Sequence, residues 1–317
     1  MRPRLAIARF ASRPLTAGGA TRSTCGRTTA ARIETYAARL PQRPSRRKRS
    51  APPWVGYIGA APISDRWPVN DIDMTDFGAE IHPRPWGYWA TLGWTILAAV
   101  LSGVIAFPAV LWKYPDILSK PVDLANDGQL LSFTTIISDA IEIGVLALAA
   151  RLAHWPPAKY LGLIRPDRRD AAIALAALAV LLPSFDALTY LLGRNIVTPF
   201  QVTSYLSARA SSALPLLWFT FVVVAPAGEE IMFRGFLYRG WIQSRRAVVP
   251  GVVVISALWA VIHVQYDWFG LLQIFLMGLL LGWARWRSES AALTWLMHAA
   301  ANLWAMAETV VEVQWLS

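Results

Sequence analysis

From Trp86 onward the chain alternates long apolar stretches with short polar loops. Candidate spans fall at 86–112, 131–153, 170–193, 212–238, 250–264, 268–284 and 291–312. An α-helix rises ~1.5 Å per residue, so ~20 residues cross the hydrocarbon core of a bilayer. The fifth and sixth stretches are short, with only a few residues between them. A further helix or half-helix is expected over 196–210. The pattern predicts an all-α fold, a polytopic transmembrane helix bundle of about seven to eight spans, with no internal repeat.

Composition strengthens that reading. Hydrophobic residues make up 55% of the 317 and charged residues 16%, against roughly a quarter charged in soluble domains. The mean hydropathy is +0.39. So little polar surface cannot cover a core of this size in water, and much of the surface must face lipid. The 16 Trp fit the same solvent, because Trp favours the membrane–water interface.

The net charge of +10 suggests nucleic acid until its distribution is examined. Residues 1–50 hold 13 Lys or Arg against one acid, Glu34, a charge of +12 that leaves −2 for the rest. No nucleic-acid motif follows, so no nucleic-acid partner is expected. Residues 1–85, rich in Arg, Ser, Thr, Ala and Pro and carrying the run Arg46-Arg47-Lys48-Arg49, read as a disordered basic tail. A start placed too early, with Met74 as the alternative, and an organelle transit peptide are the competing readings. Residues 86–195 form the first group of membrane helices and 196–317 a second. Cys25 is the only cysteine, so no internal disulfide and no cysteine metal site can form.

Loop charges set an orientation. Lys159, Arg165, Arg168 and Arg169 follow the second span, Arg239, Arg245 and Arg246 the fourth, and Arg285 and Arg287 the sixth. The alternate loops hold only Lys113 and Lys120, then Arg194 and Arg209, then none. The positive-inside rule puts the first set in the cytoplasm. A multi-pass protein of the cell membrane is expected.

Ionisable groups inside apolar spans are costly and are functional candidates by default. The densest group is Gly228-Glu229-Glu230-Ile231-Met232-Phe233-Arg234. Glu230 and Arg234, four apart, share a helical face and can neutralise each other. Glu229 is turned ~100° away and lacks that partner. A carboxylate in an apolar cavity is a stronger base than in water, suited to activating a nucleophile. His263 closes Trp259-Ala260-Val261-Ile262-His263 in the fifth span, and His298 and Asn302 share a face of the seventh. Counted from the cytoplasmic helix ends, Glu229 lies ~15 Å deep, His263 ~19 Å, His298 ~11 Å and Asn302 ~17 Å. Three separate stretches therefore offer polar groups near one depth. Asp139, Glu142 and Asp186 are further membrane carboxylates, read either as lining the same cavity or as a proton relay in a transporter.

The series Glu229-Glu230-x-x-x-Arg234, aromatic-x-x-x-His263 and His298-x-x-x-Asn302 resembles the CAAX-protease and bacteriocin-processing family, which includes Rce1-type prenyl-protein endopeptidases and Abi-type proteins. The resemblance covers about 212–312 and departs at Trp259, where the family usually has Phe; a change in packing near His263, and none in the chemistry, is expected there. It implies a catalytic membrane domain over 196–317 that hydrolyses a peptide bond of a membrane-associated substrate, peptide or lipidated protein. Glu229 would activate water with help from His263, His298 and Asn302 would stabilise the oxyanion, and Glu230 and Arg234 would position the site. No cofactor is needed in that mechanism. The alternative makes Glu229, His263 and His298 ligands of a zinc ion with one open position, although HExxH is absent. A non-catalytic immunity or scaffold protein with the same motif is a third possibility.

Overall fold

The computed structural model describes residues 83–316. The expected tail, including Cys25 and Met74, falls almost wholly outside the described residues. Among these, all regular structure is helical. The elements are α1 (Tyr88–Lys113), α2 (Gly128–Leu152), the single turn α3 (Pro157–Tyr160) and α4 (Arg168–Leu191). Then come α5 (Pro199–Ala210), α6 (Leu214–Trp241), α7 (Val248–Val261), α8 (Trp268–Ser288) and α9 (Ala291–Val311).

Their beginnings are chemically marked. A helix N-terminus leaves N–H groups without intrahelical acceptors, and short polar side chains supply them. Asp127, Asp167, Asp267 and Ser290 cap α2, α4, α8 and α9 in this way. Thr198 and Gln201 form a reciprocal capping box on α5. These residues are the polar punctuation between the apolar stretches, so the loops in the sequence became the helix starts.

Five helices, α1, α2, α4, α6 and α8, are long and apolar enough to cross a membrane. The chain is a multi-pass integral membrane protein. The expected seven to eight spans therefore resolve into five of full length and three helices that differ from them. α7 has 14 residues, a rise of ~21 Å, and falls short of the hydrocarbon core. The helix expected over 196–210 is α5, at 12 residues shorter still. α9 has the length, with 21 residues, but His298, Asn302 and Glu308 dilute its hydropathy. Of the most apolar part of α4 only 11% is buried inside the molecule, and of that of α1 22%. Trp89, Val104, Val180, Leu191 and Val249 point outward, where lipid, unlike water, accepts them freely.

α6 is the central element. Its Phe233, Leu237 and Tyr238 join α4, α7, α8 and α9 in the largest apolar cluster. Ile231 and Phe236 pack toward α1, α2 and Tyr160, and Leu217 packs toward α5 and Met306 of α9. α7 and α8 approach closely at Gly278, where a Cβ would stand 2.8 Å from the Ser256 Cβ. At one end, the loop after α3 is stitched to the turn before α9. Gly162, at φ +69°, accepts from Ala291 N at 2.7 Å. A side chain there would meet the Arg285 guanidinium at 2.7 Å.

Candidate active site

α6 is not uniformly α-helical. π turns at Thr220–Val224 and Ile231–Leu237 flank the α turn Ala225–Glu230, which carries both acids. Pro226 explains the first π turn in part, because it has no N–H to offer the ladder. Ala225 N–H bonds to Thr220 O, five residues back. In that register Phe221 O would accept from residue 226, which is the proline. The stranded carbonyl is instead met by Asn302 Nδ2 at 2.7 Å. π turns cluster at functional sites because they re-aim side chains and release backbone groups.

The two adjacent glutamates have different surroundings. Glu230 is fully buried, its Oε1 accepting from Arg234 Nη1 at 2.8 Å and from His298 Nδ1 at 3.1 Å. Arg234, equally buried, donates to Gly278 O at 3.4 Å and lies over the Trp259 ring at 4.3 Å. Its own carbonyl accepts from Arg285 Nε at 2.8 Å. Glu229, by contrast, keeps 26% of its side chain exposed. Its Oε2 accepts from Trp259 Nε1 at 2.5 Å and faces His263 Nε2 at 3.8 Å.

Trp259 joins the two halves. Its indole meets His263 edge-on at 5.3 Å and His298 edge-on at 5.2 Å, between ring centroids. Its backbone O lies 2.7 Å from His263 Nδ1. A carbonyl oxygen only accepts, so Nδ1 carries the proton and a neutral His263 presents Nε2 as an acceptor. His263 sits just beyond the end of α7, not inside a helix as the sequence pattern predicts. Trp259 was expected to change packing alone, yet its N–H also reaches Glu229, a contact that nothing in the sequence pattern signals.

The other membrane carboxylates divide into two places. Asp139 of α2 lies against the backbone of Gly228, where a Cβ would stand 2.8 Å from its Cγ. Only glycine lets the two helices meet there. Asp139 and Glu142 both feel the charge of Glu229, and Asp139 Oδ2 is buried with no hydrogen-bond partner among the described residues. Asp186 instead accepts from Trp304 Nε1 at 3.0 Å and lies beside Glu308. That pair lines a cavity of about 660 Å³ together with Gln201, Gln273 and Tyr266. The cavity adjoins the histidine side of the site, since the Tyr266 and His263 rings are 6.2 Å apart.

For a zinc ion the fit is poor. Each histidine turns Nδ1 to an internal acceptor and leaves Nε2, the donor set a metal would want. Yet among the described residues no three His, Cys, Asp or Glu side chains converge on one point.

Residues 211–304 match the family model of the type II CAAX prenyl endopeptidase, Rce1-like. That is the resemblance expected from the sequence, and it spans α6, α7, α8 and most of α9. An uncharacterised 24.3 kDa protein of Escherichia coli is 30% identical over 118 residues, 36% of this chain and 54% of that protein. The chain thus spans about half the length of the curated relative it matches. No solved structure matches. Every side chain singled out between Glu229 and Asn302 lies within the Rce1-like segment; Asp139, Glu142 and Glu308 lie outside it.

Proposed function

We propose that the protein is an intramembrane endopeptidase that hydrolyses a peptide bond of a membrane-associated substrate with water activated by Glu229. The observation that carries this reading is the contrast within the acid pair. Glu230 is locked in a neutralising network, whereas Glu229 is partly exposed and, among the described residues, has no Lys or Arg paired with it. A water donating one hydrogen to Glu229 and the other to the acceptor Nε2 of His263 would be polarised for attack on a carbonyl. His298 and Asn302 are the oxyanion donors in this scheme. His298 must then carry both ring protons, Nδ1–H toward Glu230 and Nε2–H toward the oxyanion. Asn302 has two amide hydrogens, one engaged by Phe221 O and one for substrate. The Rce1-like match supports peptide hydrolysis and a lipidated, CAAX-type protein as the substrate class, and the apolar surroundings suit such a substrate in the cell membrane.

The test is purified protein assayed on a membrane-associated peptide after exhaustive chelation, with metal content measured on the same sample. Turnover is expected to persist at negligible metal and to fall ~10²-fold or more in Glu229→Gln. Activity lost with the metal and restored by stoichiometric zinc would sink the glutamate mechanism and make Glu229, His263 and His298 ligands.

A further inference from the structure

We infer that Trp259 is a positioning residue, whose indole N–H selects which oxygen of Glu229 acts as the base. The inference rests on the peptidase reading and deepens it. A carboxylate has two equivalent oxygens and, on a flexible side chain, rotates between them. Here Oε2 is held by Trp259 Nε1 at 2.5 Å, which leaves Oε1 without a donor among the described residues and the side chain partly open. The indole itself cannot drift. It is 2% exposed, lies under the Arg234 guanidinium at 4.3 Å, and meets both histidine rings edge-on. Arg234 is in turn fixed by Glu230, which also holds His298. One indole therefore ties the base to the buried ion network and to both histidines, so their relative positions are set together.

Donating to one oxygen of a base has two opposed effects. It stabilises the carboxylate, which weakens the base, and it fixes the remaining lone pairs, which favours reaction. Trp259 supplies the one hydrogen bond to this base among the described residues, so orientation is the larger effect. Loss of the N–H should then slow the chemical step while leaving substrate binding nearly unchanged.

The experiment uses full-length purified protein with Trp259 replaced either by Phe or by its sulfur isostere, benzothienylalanine. The isostere keeps the bicyclic shape and removes only the N–H. Both variants should lose ~10- to 100-fold in kcat, the range for a hydrogen bond to a charged group, with KM within about 2-fold. As a readout independent of turnover, the indole N–H resonance that disappears in Trp259→Phe should move in Glu229→Gln and stay put in Asp127→Asn, at the capping site of α2. An isostere variant with full kcat, or an indole resonance indifferent to Glu229→Gln, would overturn the inference. Equal turnover in wild type and Glu229→Gln would instead remove Glu229 as the base, and no turnover in wild type would remove the peptidase reading itself.

Discussion

Glu229 and Glu230 share a peptide bond and little else. Glu230 is 1% exposed, and its partner Arg234 is equally buried. Breaking a buried pair by removing one partner leaves an uncompensated charge, at ~3–5 kcal/mol. Glu230→Gln should therefore lower the stability of the purified protein by about that amount. Glu229→Gln, at a partly open position, should stay within ~1 kcal/mol. Thermal unfolding in one detergent, with turnover on the same samples, separates the two; equal destabilisation would refute the division of labour. The ion pair was legible in the sequence because four residues along a helix share a face, and the slight unwinding of α6 does not carry them apart. The partner of Glu229 was not. Trp259 is thirty positions away, and an aromatic residue in an apolar run reads as packing until its N–H is seen to point at something.

At the scale of elements, the decisive feature is the irregularity of α6. Pro226 was visible, but a proline in an apolar run predicts only a missing donor, not that the ladder widens or that a residue of another helix answers it. The link between Asn302 and Phe221 O makes a double-mutant prediction. Asn302→Ala should cost ~1–3 kcal/mol by stranding that carbonyl. In a Pro226→Ala background the new backbone N–H can serve the same carbonyl, so the cost of Asn302→Ala should shrink; equal costs in both backgrounds would disconnect the two residues. Helix ends were more legible. Asp127 caps α2 from Leu130 N and also meets Lys113 Nζ at 2.5 Å and the Tyr114 hydroxyl at 2.9 Å. Burial pushes its carboxyl up, but the Lys113 ammonium, the Leu130 N–H and the Tyr114 hydroxyl outweigh it and hold it below the usual carboxylate range. A folded-state value below the unfolded one means that the stabilisation is present above the unfolded value, near pH ~4, and is lost as pH falls through the folded one. Asp127→Asn retains a capping side chain without the charge. Its stability deficit should close as acid protonates the wild-type residue. A deficit that stays constant down to acid unfolding would show the charge to be idle.

For the whole molecule, the loops read as cytoplasmic from their arginines gather at one end of the fold, for reasons independent of charge counting. Arg239 beyond the π turns of α6 donates to Lys159 O at 3.1 Å and Tyr160 O at 3.3 Å, so the α3 loop meets the end of α6. Gly162 O receives Ala291 N, which brings in the turn between α8 and α9. Trp241 Nε1 donates to Tyr88 O, so α1 begins at this end and Leu118, past its far terminus, belongs to the other. Several of these arginines are also structural: Arg285 serves Arg234 O and Arg287 pairs with Asp170 at 2.9 Å. Arg245 and Arg246, both exposed, are better placed to sense the membrane's charge asymmetry. The orientation follows as an expectation from the positive-inside rule applied to that end. It can be read with single cysteines in a Cys25→Ser background, since Cys25 is the only native one. Leu118→Cys, at a position 84% exposed, should react with an impermeant maleimide in intact cells. Arg245→Cys should react only after the membrane is opened. The reverse pattern would invert the molecule, and would place the Arg-stitched end of the fold, with its loops after α3, α6 and α8, on the outer face.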